Sequence, residues 1–257
     1  MTSTIDIIYQ DDYLLSLDKP PGLVVDSGET VKENSLADIL IRDFDVQLPR
    51  GGIVHRLDKD TSGIILVAKT LKALENLQSQ FKERAVKKEY LALVHGWIRD
   101  TGVVDAAIIR NPLKREKFIV ASQGPTLGAR TAVTEYEPLE RLQFTFYRLQ
   151  EIFSDFNKIQ MRKLEKQHYG EFTLIRCKPQ TGRTHQIRVH LKYINHPIAS
   201  DEKYVGRKMY RLDKRWCPRM FLHAAKLGFY HPETGEWMEL KSELPEDLKE
   251  VINKLKA

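Results

Sequence analysis

His55-Arg56-Leu57-Asp58-Lys59-Asp60-Thr61-Ser62-Gly63 runs directly into Ile64-Ile65-Leu66-Val67-Ala68. The second half is an unbroken apolar run behind a glycine, the pattern of a fully buried strand. The first half sets five charged or titratable side chains between His55 and Asp60. They stand at the mouth of a rigid core element, where a side chain can be held in fixed geometry. Arg56 and Asp58 are two apart, so an extended backbone puts them on one face. A guanidinium beside a carboxylate favours the ionised form, and an ionised, positioned carboxylate serves as nucleophile, base or metal ligand. A solvated turn entering a strand would carry the same charges, so this stretch alone leaves both readings open.

The bulk numbers narrow the choice. The chain has 257 residues, 42% hydrophobic and 30% charged, which fits a globular fold with a proper core. No apolar run approaches the ~18–20 residues of a membrane helix, and the first residues lack the pattern of a secretory signal. Two cysteines, Cys177 and Cys217, fit a reducing cytoplasm better than a disulfide framework, and no recognised zinc spacing includes them. The net charge of +6 makes nucleic acid the natural partner. Lys203, Arg207, Lys208, Arg211, Lys214, Arg215 and Arg219 cluster around one acid, Asp213, with Tyr204, Tyr210 and Trp216 among them. Cations neutralise phosphates and aromatics stack on unpaired bases, so this stretch is expected to face RNA. Its bland alternative is a solvated loop with aromatics docked in the core. Lys158, Arg162, Lys163 and Lys166 are expected to form an exposed helix face.

Read in order, Ile5 to Leu17 predicts a hairpin turning at Gln10-Asp11-Asp12, broken by Lys19-Pro20-Pro21-Gly22, after which Leu23-Val24-Val25 resumes extended structure. Ser35 to Phe44 predicts a short helix capped by Asn34 or Ser35. Thr70 is expected to cap the next, with Leu71, Leu74, Leu77 and Phe81 as its core stripe. Lys88 to Trp97, Ala129 to Tyr136 and Glu171 to Lys178 read as strands, and Val103 to Ala121 as short strands and loops. Thr184 is expected to cap a helix with Ile187, Leu191 and Ile194 on its apolar face, setting Arg183 beside the helix N-terminus. His231 to Gly235 reads as a hairpin turn, and Leu244-Pro245-Glu246-Asp247 opens a terminal helix.

Three of these stretches resemble one family. His55 to Gly63, Lys88-Glu89-Tyr90-Leu91-Ala92, and Thr181-Gly182-Arg183-Thr184-His185-Gln186-Ile187-Arg188-Val189-His190 look, in that order, like the signatures of the RluA-type RNA pseudouridine synthases. Lys19-Pro20-Pro21-Gly22 resembles that family's first motif. His196 to Tyr204 resembles a further stretch, with Ser200 where Gly is usual.

The resemblance implies Asp58 as the catalytic carboxylate, Tyr90 against the target uracil as platform and proton relay, and Arg183 as the cation paired with Asp58. It implies that Arg56 fills the space left by a flipped base. Arg188, Lys203, Arg207, Lys208 and Arg211 join Arg56 as expected RNA contacts, with His185 and Arg188 also readable as structural. The implied fold is α+β, a mixed, mostly antiparallel curved sheet with flanking helices and a central RNA-binding cleft. One catalytic domain is expected over residues 1–257, without a separate N-terminal RNA-binding domain and with an insertion at about 141–170 that could select the RNA target. The implied activity is isomerisation of uridines in ribosomal or transfer RNA by a cytoplasmic, membrane-free monomer, with no cofactor and no metal. Two other classes fit the residues: a hydrolase of nucleic acid using Asp58 with Asp60, with or without a metal, and a non-catalytic RNA-binding module.

Overall fold

A computed structural model describes residues 5–26, 35–122 and 126–256. In chain order its elements are β1 (Asp6–Gln10), β2 (Leu14–Lys19), α1 (Leu36–Asp43), β3 (Ser62–Ala68), α2 (Leu71–Glu83), β4 (Lys87–His95), β5 (Gly102–Asp105), β6 (Ile108–Arg110), β7 (Phe118–Val120), β8 (Val133–Gln143), α3 (Phe146–Ile152), α4 (Lys158–Lys166), β9 (Glu171–Pro179), α5 (Gln186–Tyr193), α6 (Arg207–Asp213), β10 (Leu222–Tyr230), β11 (Trp237–Lys241) and α7 (Glu246–Lys256). The chain divides into two units: Met1–Tyr90 with His223–Glu243, and Leu91–Leu222 with Leu244–Ala257.

In the first unit β3 is the organising strand. It pairs antiparallel with β2 from Leu14↔Ala68 to Lys19↔Gly63, and parallel with β10 at Ser62↔His223 and Gly63↔Ala224. β1 extends the sheet beyond β2, and β11 pairs with β10. Every β3 residue is buried. Ile65 and Val67 pack with Leu36 and Leu40 of α1, while Ile64, Leu66 and Ala68 pack with Leu74 and Leu77 of α2. A strand covered on both faces has no polar side, which explains the unbroken apolar run; each fully buried Ile or Leu contributes ~1.5–3 kcal/mol. The helix starts are local. Ser35 and Asp38 form a reciprocal capping box, and the Thr70 side chain accepts from the Ala73 N–H. Asn34, the other expected cap, lies outside the described residues.

In the second unit β8 and β9 form a long antiparallel pair from Thr134↔Pro179 to Gln143↔Glu171, with a bulge between Pro138 and Glu140. β5 pairs with β8 on its other side, and β6 with β7. Beyond Gln143 the chain leaves the ladder for α3 and α4, and the Phe144 N–H donates to the Gly170 carbonyl where it returns. Residues 144–170 thus form a helical excursion at the tip of a β-hairpin. An aromatic cluster, Phe144, Tyr169, Phe172 and Trp216, packs at its base. The class is α+β, with pairing that is mixed in the first unit and helices flanking the strands.

Three local expectations are corrected. Leu23 to Val25 is not a strand; the Val24 and Val25 carbonyls instead accept the Leu36 and Ala37 N–H groups at the start of α1. The strand expected at Ala129 begins at Val133 and runs to Gln143, because the Pro138/Glu140 bulge hides its alternation. Leu71 is not core: it is 60% exposed, rotated about 100° from the Leu74–Leu77 stripe at the first helical position.

Candidate active site

The motif from His55 to Gly63 is irregular up to Thr61 and then becomes β3. Leu57 anchors it, only 4% exposed, in the cluster that includes Leu17, Val25 and Leu36. With Leu57 turned inward, Arg56 is exposed and Asp58 half-buried, so both stand on the outward side as the spacing predicts. The Thr61 N–H closes a turn onto the Asp58 carbonyl. Lys59 and Asp60 are exposed on that turn.

Two devices hold the segment, and neither was legible in the sequence as such. Lys19, fully buried, donates from Nζ to the carbonyls of Pro20, Leu23 and Lys59 at 2.8–3.0 Å. The Gly22 N–H also donates to the Lys59 carbonyl at 2.9 Å. The Lys-Pro-Pro-Gly stretch is therefore laced to the Asp58 loop. On the other side Ser62 Oγ lies 3.0 Å from His223 Nδ1, whose Nε2 lies 3.1 Å from the Ser242 carbonyl. A carbonyl only accepts, so Nε2 carries the proton and Ser62 donates. Gly63, at φ +111°, allows this approach, since a Cβ there would sit 2.3 Å from the Ala224 oxygen.

His55 is a structural member of the motif. Its Nε2 accepts the Leu66 N–H at 2.9 Å and its ring stacks on Phe81 at 4.9 Å. Burial, and then the nearby Lys88 ammonium, push its pKa down to about 3, while burial and then Arg84 lower Lys88 to about 8. An imidazolium cannot accept from Leu66. A proton bound by the unfolded chain below pH 6.5 but not by the folded one destabilises the fold as pH falls from 6.5 towards 3. Wild type is expected to lose about 1 kcal/mol per pH unit more than His55→Gln between pH 6 and 4, a slope taken below the full 1.4 because part of the ring remains accessible. Urea unfolding at stepped pH measures it, and parallel curves for the two proteins would remove His55 as the cause.

Tyr90, at the end of the first unit, packs against the Leu57 cluster. Its phenol pKa is raised, first by burial and then by the Asp58 carboxylate. Tyr90 keeps some accessible surface, and its hydroxyl makes no hydrogen bond among the described residues. At neutral pH it is a phenol, suited to stacking and donating rather than to abstracting a proton. Asp58 is thus near enough for its charge to act on the Tyr90 phenol.

Arg183 belongs to the second unit, on the turn before α5. That turn is built from within. Gln186 Oε1 accepts from Thr181 Oγ1 at 2.6 Å and from the Arg183 N–H at 3.0 Å, and Nε2 donates to the Val133 carbonyl and Thr134 Oγ1. Thr184 is not the helix cap; His185 takes that position in the left-handed region without a side-chain cap bond, because Gln186 already satisfies the turn. Arg183 Nε donates to the Thr131 carbonyl at 3.2 Å.

The other motif residues are pinned. Arg188, 6% exposed, makes a bidentate pair with fully buried Asp201, both contacts 2.8 Å, and lies over the Tyr204 ring at 5.0 Å. Its expected role as an RNA contact is corrected: its donors face a carboxylate inside the protein. His185 Nδ1 lies 2.8 Å from the Tyr204 hydroxyl, and His190 bridges Thr134 Oγ1 and the Ala106 carbonyl. Ser200 adopts φ +56°, which explains a usual Gly here; its Oγ donates to the Cys217 carbonyl and its N–H to Asp213, holding a side chain in a conformation that favours none.

The basic stretch after Lys203 divides. Arg207, Lys208 and Arg211 are exposed and Lys203 half-buried, but Tyr204 and Trp216 are 8% and 2% exposed, with Trp216 Nε1 donating to the Tyr169 hydroxyl. These two aromatics are core residues and do not stack on bases. Asp213 is a buried hub that accepts from His95 Nε2, Tyr169 Oη and the Ser200 N–H at 2.9–3.0 Å. A lone acid among seven cations was the available signal for it.

Comparison with known proteins agrees with these motifs. A family model described as RNA pseudouridylate synthase matches residues 13–193, a span containing Asp58, Tyr90 and Arg183. The chain is 38% identical over 258 residues to the Bacillus subtilis (strain 168) protein named uncharacterized RNA pseudouridine synthase YlyB, covering 98% of this chain and 73% of that one. It is 36% identical to ribosomal large subunit pseudouridine synthase D of Pseudomonas aeruginosa, covering 98% and 72%. The solved human RNA pseudouridylate synthase domain containing 1 superposes with a TM-score of 0.70 at 26% identity, covering 94% of this chain and 84% of that one. Among the described residues no helix is long and apolar enough to cross a membrane. Motifs, fold and relatives converge: the chain belongs to the RNA pseudouridylate synthase family and is an isomerase acting on RNA.

Proposed function

We propose that the substrate is large-subunit ribosomal RNA and that Asp58 is the catalytic carboxylate. The observation that carries the assignment is the outward-facing Asp58 beside Tyr90, close enough for its charge to raise the phenol pKa. Relatives named for the ribosomal large subunit support the RNA class. The reaction breaks the C1′–N1 bond of uridine, turns the base and forms C1′–C5. N1 gains a proton and C5 loses one, so atoms balance without a cofactor. The base leaves its stack at a cost of a few kcal/mol, less from a loop, and Arg56 fills the vacated space as the motif implies. Asp58 acts on the nucleotide, the Tyr90 ring lies on the uracil face, and Arg183 takes the role its motif implies. Lys203, Arg207, Lys208 and Arg211 hold phosphates. Residues 1–257 act as one catalytic domain, a monomer in the cytoplasm, where Cys177 and Cys217 remain buried thiols.

Uracil-C5-tritiated transcripts test this reading. Tritium should pass to water from large-subunit ribosomal RNA. Release only from transfer RNA would overturn the substrate, and release from neither the activity.

A further inference from the structure

The helical excursion lies beside α6. Lys208 Nζ reaches Gln167 Oε1, at the C-terminal end of α4, at 3.5 Å. At the other end of α6 Arg215 forms a bidentate pair with Asp155, just before α4. Contacts at opposite ends set α4 and α6 side by side and antiparallel.

Both helices present cations. On α4, Lys158, Arg162 and Lys166 recur every four residues and form a stripe opposite Leu164, the helix's buried residue. Arg207 and Arg211 repeat the same spacing on α6. None of these five pairs with a carboxylate among the described residues, whereas Arg148, Arg215 and Arg219 nearby in sequence do. A solvated helix usually mixes signs along its face; on α4 the one acid is Glu165. The excursion also exposes Phe146, Tyr147 and Ile159, at 56%, 78% and 66%. Large apolar groups left in water on the same excursion as unpaired cations suit a nucleic-acid contact.

We propose that α4 and α6 form one RNA-backbone surface, which grips a segment of the substrate outside the target uridine and so helps choose the RNA. The proposal rests on the activity assigned above and adds α4 to the residues that bind.

The test is the salt dependence of binding to a large-subunit ribosomal RNA transcript, read by filter binding. Each phosphate contact contributes about −0.7 to −0.9 to the slope of log K against log salt. The triple variant Lys158→Gln, Arg162→Gln, Lys166→Gln is expected to flatten that slope by about 2 and to weaken binding about tenfold or more at low salt. Its control, Lys82→Gln, Lys249→Gln, Lys254→Gln, removes the same net charge from other exposed positions and should leave the slope at the wild-type value. Equal slopes for the α4 triple variant and wild type overturn the proposal, as does equal flattening by the control, which would assign the effect to net charge. Wild-type protein that releases no tritium overturns the activity instead, and leaves the slope comparison intact.

Discussion

Asp58→Asn is expected to reduce tritium release from uracil-labelled RNA by about 10³-fold or more, the scale of losing a group that acts on the reacting atoms. The substitution is nearly isosteric, and the side chain stands on the outward face of a loop held by other residues: Leu57 in the core, Lys19 on the Lys59 carbonyl, and Ser62 on His223. The melting temperature should therefore move little, and the loss should fall on kcat rather than on RNA affinity. One readout follows Asp58 directly. Its carboxylate raises the Tyr90 phenol pKa, so the neutral amide should let that tyrosine ionise at lower pH, visible as a shifted phenolate absorbance in alkaline difference spectra. Asp60 lies exposed on the following turn, so Asp60→Asn should cost no more than a few-fold. Equal damage from the two would revive the paired-carboxylate hydrolase. No tritium release from wild type, with the biological effect intact in Asp58→Asn, would leave only a binding module.

Where sequence and structure agree, the signal was local and had one physical solution. An unbroken apolar run between Gly63 and Lys69 can be satisfied only by burial on both faces, which α1 and α2 provide. Alternation around Leu57 placed Arg56 and Asp58 on one side for the same reason. Thr70 and Ser35 were readable as caps because capping is decided within four residues. Where the two differ, the deciding partner lies far along the chain. Tyr204 and Trp216 sit among cations in sequence, yet a periodicity cannot tell which way a ring turns; Tyr204 is taken inward by His185 and Phe118, and Trp216 by Tyr169 and Phe172. Thr184 looked like a cap because nothing in the sequence announces that Gln186 reaches back to do that work. Lys19 read as a residue before a turn, whereas its Nζ is what joins that turn to a loop forty residues away.

Arg188→Ala is expected to lower stability by about 3–5 kcal/mol, the cost of stranding one partner of a buried ion pair, and the melting temperature by about 10 °C. The geometry explains the size. Asp201 is fully buried and takes both guanidinium nitrogens at 2.8 Å, and the same carboxylate accepts the Lys203 N–H at 3.0 Å. Removing the cation leaves a dry negative charge at the turn that carries Lys203 and Tyr204, and it strips the Tyr204 ring of the guanidinium above it. Lysine should rescue little, since an ammonium cannot reproduce a bidentate fork. Changing both partners to apolar residues of similar volume should recover most of the loss, because no charge is then stranded. RNA affinity per folded molecule is the discriminating measurement. If Arg188 held a phosphate, Arg188→Ala would weaken binding at temperatures where it remains folded and would flatten the salt slope by about one contact. Retained affinity with lost stability places this motif arginine in the scaffold that holds the Arg183 turn.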